Sequence, residues 1–250
     1  MNSAKLPRSV SYPVTIRRGD TCQSAMLVIA SHDFSCSFWS ETASEILGRN
    51  ETAYFSTLRF ARRQESYLLG RYAAKVALGK ILAEPDLKAI EIERGVFEQP
   101  IVRCDGNGRW DVTISHAGSL AVVLAYPTGH PMGIDIERID PASRETILSQ
   151  LSKQENEWLQ VFVRQKLEIA TGLWAAKEAL SKALRSGLMS PVEIYNLAEI
   201  RAIDSGVLEG FFENFAQYKA RIWVGASHAL SIVLPKRSVL SLEGNPLAAL

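Results

Sequence analysis

The side chains of this sequence best suited to chemistry are two carboxylates in Gly133-Ile-Asp-Ile-Glu137 and a third, with a lysine four residues on, in Trp174-Ala-Ala-Lys-Glu-Ala-Leu-Ser-Lys182. Read as a strand, the first stretch turns Ile134 and Ile136 toward a core and sets Asp135 and Glu137 side by side on the other face. Adjacent carboxylates repel, so they need a compensating charge. A hard cation held by oxygen ligands would supply it, and so would a facing Lys or Arg; the strand by itself leaves both open. In the second stretch helical spacing puts Trp174, Glu178, Ser181, Lys182 and Arg185 on one face and Leu173, Ala176, Leu180 and Leu184 on another. As a plain surface pair, Glu178 and Lys182 would contribute only about 0.3–0.5 kcal/mol. As a functional pair they would offer Glu178 to a metal and Lys182 to a phosphate.

The chain around these groups is ordinary for a globular protein. Its 250 residues are 47% hydrophobic and 22% charged, enough for a sizeable core. Basic and acidic residues number 28 and 27, which excludes bulk attraction to nucleic acid or to a membrane surface. Three cysteines, Cys22, Cys36 and Cys104, form no CxxC pair, and free buried thiols in a reducing compartment are expected. Lys5, Arg8, Arg17 and Arg18 are not followed by a long apolar run, so no leader is expected. No stretch is long enough to span a bilayer. These features suggest a cytoplasmic protein.

The elements that must position the acids follow from periodicity. Residues 1–20 read as a loose arm, and Met26-Leu-Val-Ile-Ala30 as a first buried strand. Short helical pieces occupy 40–60, and a longer helix spans about 61–83 and stops at Pro85. Strands are expected at 89–93, 111–114 and 120–126, with a hairpin turn at Asp105-Gly-Asn-Gly108. The acidic strand opens a second series: helical pieces over 144–170, a helix from Gly172 to Arg185, and strands near 194–197, 200–203, 217–223 and 229–234. The last fifteen or so residues read as a tail.

The two series look like copies. Tyr72-Ala-Ala-Lys-Val-Ala-Leu78 matches Trp174-Ala-Ala-Lys-Glu-Ala-Leu180, and Ser115-His-Ala matches Ser227-His-Ala, in the same order. Two such matches favour an α+β chain of two related halves, 21–131 and 132–235, between the arm at 1–20 and a tail at 236–250. Halves of this kind often form a pseudo-dimer with the active site in the cleft between them. The copies differ at one telling position, where Val76 of the first corresponds to Glu178 of the second.

Three motifs in fixed order resemble the Sfp-type 4′-phosphopantetheinyl transferases: Ile114-Ser-His-Ala-Gly118, Gly133-Ile-Asp-Ile-Glu137, and Trp174-Ala-Ala-Lys-Glu-Ala-Leu-Ser-Lys182. The last is similar to a Trp-x-x-Lys-Glu-x-x-x-Lys signature, and Tyr67-Leu-Leu-Gly-Arg71 resembles a further upstream segment. The match covers about residues 60–185. The resemblance implies a pseudo-dimer fold and an enzyme that moves the phosphopantetheine arm of coenzyme A onto a serine of an acyl, peptidyl or aryl carrier protein. The by-product would be adenosine 3′,5′-bisphosphate. It implies magnesium (Mg2+) held by Asp135, Glu137 and Glu178. His116, beside Ser115, would meet the 3′-phosphate of coenzyme A, and Lys182 would lie at the pyrophosphate.

The residue types suit that chemistry. A metal can neutralise the pyrophosphate and orient it for in-line attack, and Lys182 can stabilise the leaving group. Glu178 is the first candidate for the base that takes the serine proton, and Glu155, in Ser152-Lys-Gln-Glu155, is the second. Arg62, Arg63 and Arg71 offer phosphate contacts or form a solvated basic face. Gln99 stands where the family often has lysine, which removes a cation from the coenzyme A site. Lys153, Arg164 and Lys166 are candidates for a carrier-protein contact, and His32, His130 and His228 are read as structural or exposed. A monomer is expected, since two halves already make the pseudo-dimer. The alternatives are a non-catalytic module binding coenzyme A or a carrier protein, and a magnesium-dependent hydrolase of nucleotide pyrophosphates.

Overall fold

The computed structural model describes residues 6–32, 39–103, 110–162, 165–187 and 189–250. The turn expected at Asp105–Gly108, Cys36, Cys104 and Arg164 lie outside them. The chain divides into two units, one of residues up to Thr15 with Gln23–Gly129, the other of Ile16–Cys22 with His130–Leu250.

In the first unit, β1 (Arg8–Arg18) and β2 (Thr21–Ser31) precede α1 (Trp39–Ile46), α2 (Arg49–Phe55) and α3 (Ala61–Leu82). Four strands follow: β3 (Glu91–Arg94), β4 (Pro100–Arg103), β5 (Trp110–Ala117) and β6 (Leu120–Pro127). The strands β1, β2, β6 and β5 lie side by side in that order. Helix α3 covers this sheet with Leu69, Ala73 and Ala77, which pack with Val28, Ala30 and Val123. The second unit repeats the series: β7 (Gly133–Arg138), α4 (Arg144–Ser149), α5 (Lys153–Trp158), α6 (Lys166–Ala183), β8 (Leu197–Asp204), β9 (Val207–Phe212), β10 (Tyr218–Val224) and β11 (His228–Pro235). Its antiparallel sheet runs β7-β11-β10-β9-β8. Leu173, Ala176 and Leu180 of α6 pack over it with Leu208, Phe212 and Ile222. The α+β class expected from the sequence is present, and the order of elements in the second unit follows that of the first.

The deepest likeness between the units is a buried ion pair. Lys75 of α3 bonds the Ile46 carbonyl at 2.8 Å and pairs with Glu51 of α2. Glu51 also takes the Gly48 N–H at 2.9 Å and the Ile92 N–H at 3.2 Å. Lys177 of α6 does the same with the Gln150 carbonyl at 2.9 Å and Glu155 of α5 at 2.7 Å. Glu155 takes the Ser152 N–H at 2.7 Å and the Leu197 N–H at 2.9 Å. In each unit one carboxylate therefore caps a short helix, anchors a strand and neutralises a lysine that is 0% exposed. Burial pulls both lysines below their usual range, against the opposing pull of the partner carboxylate.

Several expectations need correction. Residues 8–18 are a strand, not a loose arm: Val14 and Ile16 alternate with exposed neighbours, and Gly19, with φ of 57°, turns the chain into β2. The supposed tail contains β12 (Val239–Leu242) and a 3-10 turn at Pro246–Ala249. Helix α6 begins at Lys166 and runs through Gly172, where a Cβ would come within 2.8 Å of Ile222. That glycine serves close helix–sheet packing, not a helix start. Strand β9 was not anticipated, and the stretch 194–197 is mostly a 3-10 turn over Val192–Tyr195. The two Ser-His-Ala triplets are not equivalent: the first closes β5 before its turn, the second opens β11 after one. Cys22 is exposed, not buried.

Candidate functional site

Strand β7 pairs with β11 so that Asp135 faces Ser231 and Glu137 faces Ala229. Directly opposed residues share a face, and Ile222, paired with Ser231, packs against Gly172 of α6. Asp135 and Glu137 therefore point toward α6, while Ile134 and Ile136 are buried on the other side. The approach is close because residue 133 is glycine; a Cβ there would lie 1.9 Å from the Ala179 carbonyl oxygen and 2.7 Å from the Ala183 nitrogen.

Helix α6 meets the two acids with Trp174, Glu178 and Lys182, one turn apart. Lys182 Nζ donates to Asp135 Oδ1 at 2.6 Å, and Trp174 Nε1 donates to Glu137 Oε1 at 3.2 Å. Asp135 is buried, and Lys182 keeps 27% of its side chain exposed. Burial, then the charge of Asp135, pushes Glu137 up to about 7, with a smaller push from Glu178. Burial and Asp135 also raise Glu178 above the usual carboxylate range, opposed by Lys182. The structure thus brings Asp135, Glu137, Glu178 and Lys182 into one electrostatic cluster. Three carboxylates suit a hard cation, and magnesium commonly uses one or two of them together with phosphate oxygens and water. Among the described residues no three His, Cys, Asp or Glu side chains converge on a formed metal cage. Lys182 compensates charge on Asp135 as the side chains stand.

Glu155, considered as a base, is 0% exposed and fully engaged in the helix cap and ion pair described above. It is a structural residue.

The first unit holds a pocket of 320 Å³ lined by Arg63, Arg71, Arg94, His116, Tyr54 and Tyr67. Gly70 forms part of its wall, since a Cβ there would lie 2.7 Å from His116 Nε2. Arg71 stacks over Tyr67 at 4.7 Å and Arg94 over Tyr54 at 4.0 Å. Three guanidinium groups and an imidazole line this cavity together with the Glu98 carboxylate, which pairs with Arg94, while Arg71 lies 3.5 Å from Glu51. Ser115 lies on the opposite face of β5 from His116 and is buried, so its side chain is turned from the pocket. Arg62 is exposed and does not line the cavity. Gln99 accepts the Phe97 N–H at 2.9 Å within the β3–β4 turn, a bond that lysine could not make. Sequence reasoning missed Arg94 and Tyr54, which carry no motif and reach the pocket only through the fold. Lys153 is exposed beside Glu157, and Lys166 is half-buried at the start of α6.

Among the described residues no helix is long and apolar enough to cross a membrane. No curated protein sequence matches the chain. Solved structures similar to it include a holo-(acyl-carrier-protein) synthase from Bacillus anthracis in complex with CoA (3′,5′-ADP), at 21% identity over 47% of this chain and 97% of that one, with a TM-score of 0.37. A holo-ACP-synthase from Plasmodium yoelii matches at 15% identity over 48% and 95% of the two chains, TM-score 0.32. The synthase AcpS of Thermotoga maritima matches at 19% over 56% and 74%, TM-score 0.31. The family model for the 4′-phosphopantetheinyl transferase superfamily matches residues 131–233, the stretch that contains the whole acidic cluster. Over those residues the chain is similar to the 4′-phosphopantetheinyl transferase superfamily.

Proposed function

We propose that the protein is a magnesium-dependent Sfp-type transferase that moves 4′-phosphopantetheine from coenzyme A to a serine of an apo carrier protein. The observation that carries this reading is the set of Asp135, Glu137 and Glu178 turned onto one seam with Lys182. The reading assigns the coenzyme A pyrophosphate to that cluster. Magnesium held by Asp135, Glu137 and Glu178 would neutralise the pyrophosphate.

The chain's own groups then have distinct tasks. Trp174 fixes the Glu137 carboxylate. Glu178, with its raised affinity for protons, takes the proton from the carrier serine as the serine oxygen bonds to phosphorus. The phosphorus–oxygen bond to the nucleotide breaks, and adenosine 3′,5′-bisphosphate leaves with its charge facing Lys182. Lys182 must leave Asp135 to do this, and its partial exposure gives it room.

The test is intact mass of apo carrier proteins after incubation with coenzyme A and magnesium. Addition of one phosphopantetheine, lost in Asp135→Ala and on chelation, is expected. Coenzyme A binding without turnover would replace this reading with a binding module. Release of adenosine 3′,5′-bisphosphate without any carrier would replace it with a hydrolase.

A further inference from the structure

Ser231 has no task in the mechanism above, yet it borders the acidic seam, paired with Asp135. It is 0% exposed, and among the described residues its Oγ has no hydrogen-bond partner. It sits directly across from Asp135 on β11, on the face turned toward α6. Opposed side chains on one face have Cβ atoms about 4.5–5.5 Å apart, so the hydroxyl lies at the edge of the carboxylate cluster. Its neighbour along the same face, Ala229, is too small to fill the space opposite Glu137.

A buried, unsatisfied hydroxyl is a cost to a fold, because it has left water and gained nothing. The first unit shows that the cost is avoidable. Gly70 packs on Ile114 as Gly172 packs on Ile222, and these residues pair with Val123 and Ser231 respectively. Val123 is the residue at the matching place, and it pairs with Val28 where Ser231 pairs with Asp135. Valine satisfies that position without any polar atom.

We propose that Ser231 is a positioning residue of the acidic site, whose hydroxyl accepts a hydrogen bond from a water molecule on the divalent cation held by Asp135. A cation-bound water can only donate, and the side chains that bond the two strand acids, the ammonium of Lys182 and the indole of Trp174, are donors too. Ser231 offers a neutral acceptor across from Asp135. Its role rests on the cation reading given above, and the two can fail separately.

The experiment compares Ser231→Val with Ser231→Thr, which differ only in a methyl against a hydroxyl. Mn2+ is titrated into each full chain, with and without coenzyme A, and free Mn2+ is read by electron paramagnetic resonance alongside thermal melting. Ser231→Thr should keep the wild-type affinity, while Ser231→Val should lose about tenfold, as outer contacts to a metal site typically do. Without cation, Ser231→Val should melt higher than wild type, since it removes the unsatisfied group. Equal Mn2+ affinity in the two variants would overturn the role given to Ser231 and leave the site intact. Absence of saturable Mn2+ binding by the wild type in both conditions would overturn the cation reading and this inference together.

Discussion

The two units build the same helix–sheet seam from opposite materials. In the first, α3 rests on Val28 and Ala30 of β2, with Val76 on the helix. Following the strand pairings, those places in the second unit are Asp135, Glu137 and Glu178. Met26 likewise gives way to Gly133, and Val123 to Ser231. What remains unchanged is the frame: a buried lysine, its capping glutamate and the strand that glutamate anchors. An architecture that forms with apolar residues in one copy does not require three acids in the other. Burying carboxylates close together opposes folding, so their presence points to a use outside folding.

The frame and the seam can be separated by substitution. Replacing Lys75 or Lys177 by Met leaves a buried glutamate without its counter-charge, and each change should cost about 3–5 kcal/mol in denaturant unfolding. A large loss at one lysine and none at the other would break the equivalence of the two frames. Converting the seam to the first unit's residues (Asp135→Val, Glu137→Ala, Glu178→Val) should leave a folded protein at least as stable as wild type. Its transfer activity should fall by at least about 10²–10³-fold, the size expected when preorganised charge is removed from a reacting centre. Retained activity, measured as mass added to a carrier protein, would show that the acids are not the working difference.

A smaller effect concerns closeness. Gly133→Ala puts a methyl against the Ala179 carbonyl and should cost about 1–3 kcal/mol, as overpacking does. Met26→Ala should not move the acids, so activity lost in the first variant and kept in the second would sharpen the contrast. A further effect is in pH. The Glu137 carboxyl is pushed up to about 7, so between its ordinary value of 4.5 and about 7 the folded state holds the proton more tightly than the unfolded state. Stability without divalent cations should therefore be higher at pH 5 and decline toward pH 8. Glu137→Gln should flatten that decline in melting temperature. An undiminished slope in the variant would assign the pH dependence elsewhere.

Local pattern made much of this legible. The alternation of Ile134, Asp135, Ile136 and Glu137 determines a strand with its acids on one face, and the three- and four-residue spacing of Trp174, Glu178 and Lys182 determines a helix that presents them together. The long helix of the first unit was also readable, and the match of Tyr72–Leu78 with Trp174–Leu180 marks corresponding helices, whereas the Ser-His-Ala match does not mark corresponding strands. Tertiary structure decided which identities mattered. Lys177 and Glu155 sit inside motif-like strings that suggest chemistry, yet their distant partners, the Gln150 carbonyl and the Leu197 N–H, make them scaffold. Gly172 looks like a helix boundary until Ile222 is found against it. Ser231 lies in an unremarkable apolar strand until its register with Asp135 is known. Periodicity along a chain reports which face a residue occupies, whereas the atom it meets there is set by segments far away in sequence, and only the folded chain brings them into contact.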